Sequence, residues 1–418
     1  MKQLKLHATT GPEARRERVE CPECRGVPRY CSLNVCPYFR GLLSREALER
    51  KLSSESVFGP SPPTVFVGSY GYPKVRVGPM LSLLDEEHAA LAEDTQRWLE
   101  LGLDKILDIR LSMLYGRRYS PVTAARSQER HVMILQELAM SLKPVDTEVW
   151  LEKRPLVRAG FQVRAAPFGP SAPAKRVQIA ENPQVPRIVD RVAADTDMKA
   201  EASVNKLYTA GLREYDIVRL LSAGLLGTRI ERRFVPTEWS ITAVDDIIGK
   251  SLRKNVKRNV LISDFLFYTA SGVHNRVSVA LLPLPWMFEV AEFWHRNGVS
   301  GPFMDSELPL ERDRYPENVG GAYHAVRLPI LEHLHKLRRQ AAAIAVIEIW
   351  PGWIPLGVWR FRELARRALA GEPRRFDDLK ELLSHMRESI GRHLDLWVRR
   401  SRVLRFYEEQ RSLGLWMR

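Results

Sequence analysis

AAAIAVIEIWPGWIPLGVW, Ala341 to Trp359, comes nearer than any other stretch of the chain to a membrane span. A helix that crosses a bilayer needs roughly 20 uninterrupted apolar residues, and this run carries Glu348 and two prolines, Pro351 and Pro355. It reads instead as buried strands, Ala343 to Trp350 and Pro355 to Phe361, because short apolar runs bounded by turn residues are the mark of strands in a core. Pro329 to Gln340 before it reads as a helix, as do Arg362 to Ala370 and Phe376 to Tyr407 after it. Helices and strands mixed in this way point to a mixed α/β (α+β) fold. The expectation is a multi-segment globular core, with a small cysteine-bearing segment before it and a helical C-terminal region after it.

Toward the N-terminus, Arg314 to Gly321 is a turn-rich break that separates a core domain at 43–313 from a C-terminal one at 314–407. Within the core, Pro285 to Arg296 supports a helix, while Phe265 to Ala270 and Arg276 to Leu282 flank a Ser-Gly turn as a β-hairpin. Ser240 to Asn255, Met198 to Leu226, Ser127 to Leu142 and Leu81 to Leu114 have helical character, and residues 144–192 hold short strands and proline-rich turns. In FGPSPPTVFVGSYGYPKVRVGP, Phe58 to Pro79, the islands Val65–Val67 and Lys74–Val77 are β-prone between turn residues. Arg45 to Leu52 looks like a short helix; residues 1–42 form a basic appendage, and 408–418 an exposed tail.

The 418 residues suffice for two or three domains, and 45% hydrophobic with 9% aromatic residues fits a globular chain rather than a disordered one. The formal charge of +14 suggests a polyanionic partner, because clustered Lys and Arg displace counterions from phosphates. Charge alone does not separate DNA from RNA or membrane. With no membrane span, and an N-terminus lacking the apolar core of a secretory signal, a cytoplasmic protein is expected.

All four cysteines, Cys21, Cys24, Cys31 and Cys36, stand in CPECRGVPRYCSLNVCPYF. Four thiolates satisfy the tetrahedral preference of zinc and leave no position open for water, so the site reads as a structural zinc knuckle. An iron–sulfur cluster uses the same donors. At the other end, Gln410, Leu413, Trp416 and Met417 resemble the peptide that binds the sliding clamp PCNA, with Met417 in place of the second aromatic. In one helical turn Leu413, Trp416 and Met417 share a side and form an apolar plug. The alternative is a terminal helix packed on its own domain.

Other constellations carry weaker chemistry. Asp195 and Asp197, with Glu201, offer carboxylates to a second, divalent metal, although caps and solvated acids explain such runs as well. Lys74, Arg76, His274, Arg276, His324 and Arg327 would make an anion or nucleotide pocket if the fold gathers them. Arg253, Lys254, Lys257 and Arg258 suggest a basic helical side for phosphate. No Walker loop, HExxH, GxSxG or dinucleotide fingerprint occurs, and no catalytic residue is assigned.

The knuckle, the glycine-rich run, HVMILQELAMSLKPVDTEVWL (131–151), ADTDMKAEASVNKLYTAGL (194–212), RRFVPTEWSITAVDD (232–246) and GGAYHAVRLPILEHL (320–334) together resemble the archaeal Nre family. That resemblance implies a family N-terminal domain, a shorter C-terminal domain, a DNA-repair role and clamp partnership through the tail. Only the four cysteines and Gln410, Leu413, Trp416 and Met417 are carried over as functional. The expectation is a DNA-damage-response protein recruited to DNA by PCNA, processing nucleotides or DNA ends. A non-catalytic adaptor between the clamp and other repair factors is the alternative, and an RNA-binding protein the third.

Overall fold

The computed structural model describes residues 50–155, 160–162, 165–295, 298–309, 315–350 and 356–416, with the backbone alone at 160–162, 165–167 and 410–416. The four cysteines and Met417 lie outside the described residues, as does most of the short helix expected at Arg45 to Leu52.

Eight residues of the long apolar run, Ala342–Ile349, form a strand in which every position is buried. It is an inner strand of the second of two six-stranded sheets. The first sheet comprises β1 (Ser56–Ser61), β2 (Val65–Val67), β3 (Lys74–Ser82), β4 (Met113–Pro121), β5 (Val145–Leu151) and β6 (Ser171–Ile179), in the order β1-β5-β6-β4-β3-β2. The second comprises β7 (Phe265–Gly272), β8 (Asn275–Leu282), β9 (Phe288–His295), β10 (Val299–Glu307), β11 (Ala342–Ile349) and β12 (Arg374–Phe376), in the order β10-β9-β11-β8-β7-β12. Thus strands on both sides of residue 313 pair in one sheet.

Between β3 and β4 lie α1 (Glu86–Leu91), α2 (Thr95–Leu101) and α3 (Leu103–Leu111), and α4 (Arg130–Met140) precedes β5. The sheets are linked through α5 (Arg187–Ala194), α6 (Ala200–Thr209), α7 (Glu214–Ser222) and α8 (Thr237–Val256). The C-terminal third adds α9 (Gly321–Leu337), α10 (Trp359–Ala370), α11 (Leu379–Ile390), α12 (Leu394–Val398) and α13 (Arg402–Trp416). None of the described helices is long and apolar enough to cross a membrane.

Side chains alternate across a strand, and β11 divides its residues between two cores accordingly. Ala343, Ala345, Ile347 and Ile349 face a large core shared with Val244 and Ile248 of α8, Val326 and Ile330 of α9, and Val75 and Val77 of the first sheet. Ile344 and Val346 face a second core closed by Leu382 and Met386 of α11, Leu394 and Trp397 of α12, and Leu404 of α13. This covering on both faces corrects the expectation of a helix at 285–296. Phe288 and Val290 enter the first core, Ala291 and Phe293 the second, so β9 shows no alternation in its sequence although it is a strand.

Three further expectations change. Trp359 opens α10, so the described residues 356–361 of the expected second strand do not form one. Phe376 to Tyr407 is divided into three helices, the first ending at Gly391, whose φ of +111° suits glycine alone. Leu81 to Leu114 is the end of β3, three short helices and the start of β4 rather than one helical segment. The hairpin of β7 and β8 forms, but its turn falls on Val273 and His274, both at positive φ, rather than on Ser271 and Gly272, which pair within the strands; a two-residue turn of that hand matches the twist of its strands.

Candidate functional site

The register of the second sheet gathers polar side chains at one corner. Glu348 of β11 lies opposite Arg276 of β8 and Phe293 of β9, and His295, two residues beyond Phe293, shares that face by the alternation of the strand. It is the face covered by α11 and α12, whose junction supplies His393. Glu348 has 0% of its surface exposed. A bare carboxylate there would cost several kcal/mol in lost hydration, so its partners are part of the fold.

Each oxygen of Glu348 has its own partners. Arg276 donates from Nε and a terminal nitrogen to Oε2, the former at 2.7 Å. Oε1 lies 3.0 Å from Nε2 of His295 and 3.2 Å from Nε2 of His393. The indole of Trp350 stacks on His295 with centroids 5.0 Å apart at 11°, and the Arg276 guanidinium lies over the same indole at 5.3 Å. Phe293 meets His393 edge-on at 4.9 Å. A Cβ on Gly391 would stand 3.2 Å from Nδ1 of His393, so the glycine leaves that ring its place. Burial holds His393 below the usual histidine range, against the pull of Glu348.

A second, exposed constellation occupies the first sheet. Arg76 of β3 and Tyr119 of β4 are cross-strand partners, and Arg76 Nε donates to the Tyr119 hydroxyl at 2.9 Å. The guanidinium lies 5.2 Å from the Tyr119 ring and 5.7 Å from that of Tyr70. Tyr70 is 78% and Tyr119 54% exposed. Tyr72 is also exposed and packs one side on Trp239 of α8 at 5.1 Å, and exposed Lys74 follows two residues later. Gly78 permits the close approach of β3 and β4 beneath this surface, since a Cβ there would meet the carbonyl oxygen of Gly116 at 1.8 Å.

The six residues expected around one anion pocket therefore fall in three places. Lys74 and Arg76 belong to the exposed tyrosine face, while Arg276 belongs to the buried corner, where the His274 carbonyl accepts from Trp350 N. On α9, Arg327 is committed to the buried Glu307, and His324 lies 3.7 Å from Asp246 Oδ1. No hydrogen bond, ion pair or ring contact among the described residues joins the three places. Asp195 ends α5, and its Oδ1 accepts from the backbone N–H of Asp197 and Met198, the role of a turn cap. Of the expected basic side of α8, Arg253 is buried on Glu307 and Lys257 donates to the Pro309 carbonyl. Helix α13 carries the backbone of Gln410, Leu413 and Trp416.

His295, Glu348 and His393 were not singled out by sequence reasoning as a site, although Glu348 is the one charge in the run from Ala341 to Trp350. Among the described residues, theirs is the one group of three or more His, Cys, Asp or Glu whose donor atoms all lie within 4.8 Å of one another.

Two family descriptions match the chain: "Archaeal Nre, N-terminal" over residues 30–300 and "Archaeal Nre, C-terminal" over 307–416. The chain belongs to the archaeal Nre family. Among relatives, the "DNA repair protein NreB" of Archaeoglobus fulgidus is 36% identical over 394 residues, 93% of this chain and 97% of the relative. The "DNA repair protein NreA" of the same organism is 34% identical over 373 residues, 88% of this chain and 92% of the relative. The protein of that description from Haloferax volcanii is 35% identical over 370 residues, 85% and 88% of the two chains. No solved structure matches. In this Nre chain the corner straddles the family's two segments, since His295 lies in the first and Glu348 and His393 in the second.

Proposed function

We propose that this Nre protein acts in DNA repair, is brought to DNA by the sliding clamp PCNA through Gln410, Leu413, Trp416 and Met417, and holds single-stranded DNA on its tyrosine–arginine face. The observation that carries the DNA contact is the exposure of Tyr70 and Tyr119 around Arg76, with exposed Tyr72 nearby in the chain. Large aromatics are seldom left in water around a guanidinium without use. Bases stack on such rings whatever their sequence, and the cations beside them meet the phosphates. The formal charge of +14 favours the same class of ligand. The names of the relatives support repair as the process, and the helical backbone of α13 through Trp416 suits a plug presented on one turn. The four cysteines are proposed to hold a structural zinc ion.

Two measurements test the reading. A labelled single-stranded oligonucleotide titrated at fixed salt should bind Tyr119→Ala and Tyr70→Ala more weakly than wild type; equal affinity in both variants would refute the face. Clamp pull-down with Trp416→Ala should lose the partner, and retention at wild-type level would refute the tail.

A further inference from the structure

We propose that His295, Glu348 and His393 bind a divalent first-row transition-metal ion, zinc in class, through Nε2, Oε1 and Nε2. This site is separate from the cysteine cluster and goes beyond the DNA-contact reading. The separations suit a shared ion. Zinc held tetrahedrally by nitrogen and oxygen at about 2.0–2.2 Å places neighbouring donor atoms about 3.3–3.5 Å apart. Here Oε1 stands 3.0 and 3.2 Å from the two imidazole nitrogens, and all three donor atoms lie within 4.8 Å of one another, so small shifts of the rings bring them to that spacing.

Orientation adds an independent argument. Both imidazoles turn the same atom, Nε2, toward one carboxylate oxygen, while the other oxygen is committed to Arg276. An outer group that holds the free oxygen of a ligating carboxylate is the usual support of such a site, and Arg276 fills that position. The rings are set before any ion arrives, His295 by the stacked Trp350 and His393 by Phe293 and the space left at Gly391. The donor set decides the class of ion. Two imidazoles and one carboxylate suit zinc and its first-row neighbours, whereas magnesium and calcium take oxygen donors. Three protein donors, unlike four cysteines, leave a coordination position for water or a substrate oxygen.

The test uses the full chain, stripped by chelator and dialysed against Zn²⁺ or Co²⁺. Wild type should retain one equivalent more than either His295→Ala or His393→Ala, whose affinity at the site should fall at least about 100-fold. With Co²⁺ the missing equivalent should show visible ligand-field bands without the near-ultraviolet thiolate band that a cysteine site gives. Circular dichroism and urea midpoints establish that the variants are folded, and the two substitutions lie on different elements, so the loss of either fold leaves the other to decide. Equal stoichiometry in wild type and a folded variant would overturn the site. So would a missing equivalent that carries the thiolate band.

Discussion

The tyrosine–arginine face of the first sheet and the Glu348 corner of the second use the same kinds of atom in opposite ways. On the face, Arg76 sits between rings that water reaches, and its bond to Tyr119 is itself exposed to solvent. At the corner, Arg276 lies against a carboxylate that water does not reach, with two histidines on its other oxygen. A surface contact of the first kind contributes roughly 0–1 kcal/mol to folding, whereas removing one member of a buried pair costs about 3–5 kcal/mol. The face can therefore change its partner without disturbing the fold, while the corner is built into it.

The largest effect should follow Glu348→Gln, which leaves Arg276 without its anion; we expect about 4 kcal/mol lost in urea unfolding. Tyr70→Ala, at a site mostly in water, should stay within about 0.5 kcal/mol of wild type. Similar losses in the two variants would break the contrast.

Acid should also act on the buried side. His324 is held down to about 4, first by burial, then by the nearby Arg327 and Lys250, with Asp246 and Glu307 pulling the other way. An unfolded imidazole takes up its proton near 6.5. Between those values the unfolded chain binds more protons, so stability falls as pH drops from about 6.5 to 4, by about 3 kcal/mol in all. His324→Leu should flatten the urea midpoint over that window, and an unchanged slope would exclude His324 as its source. Below it Glu307 takes over. Burial raises its carboxyl, but Arg327 and Arg253 more than offset that and hold it at about 2, so its contribution is present above about pH 4.5 and lost on further acidification.

Much of the architecture was legible because local pattern and fold agreed. The apolar run at Ala342–Ile349 became a strand, and the alternation around residue 272 became a hairpin. Pattern failed where two layers cover one element, as at Phe288 to Phe293, or where a single φ ends a helix, as at Gly391. The corner was half legible. A lone glutamate in a buried strand demands a partner, yet nothing local ties His295 to His393, which meet only through the β9–β11 register and the α11–α12 junction. Asp195 shows the converse, since its Oδ1 accepts from two backbone N–H groups, a capping role that its neighbouring acids do not announce.

On the face, Tyr119→Ala should lower affinity for single-stranded DNA by about 1–3 kcal/mol, roughly 5- to 150-fold, with no change in urea midpoint. Loss of affinity together with stability would mean that the ring belongs to the fold rather than to a ligand.

The smallest effect is the most specific to the electrostatic part of that reading. Lys74 is exposed on the same face as Arg76, where an ammonium meets phosphate as a point charge and gains chiefly by releasing condensed counterions. For a single strand each such contact contributes about 0.7 to the slope of log affinity against log salt. Lys74→Ala should therefore reduce the slope by about that amount, and its penalty should shrink as salt rises. Tyr119→Ala removes stacking rather than charge, so its penalty should persist at high salt with the slope unchanged. If both variants alter the slope equally, the rings and the cations are not acting as separate contacts, and the division of labour proposed for this face fails.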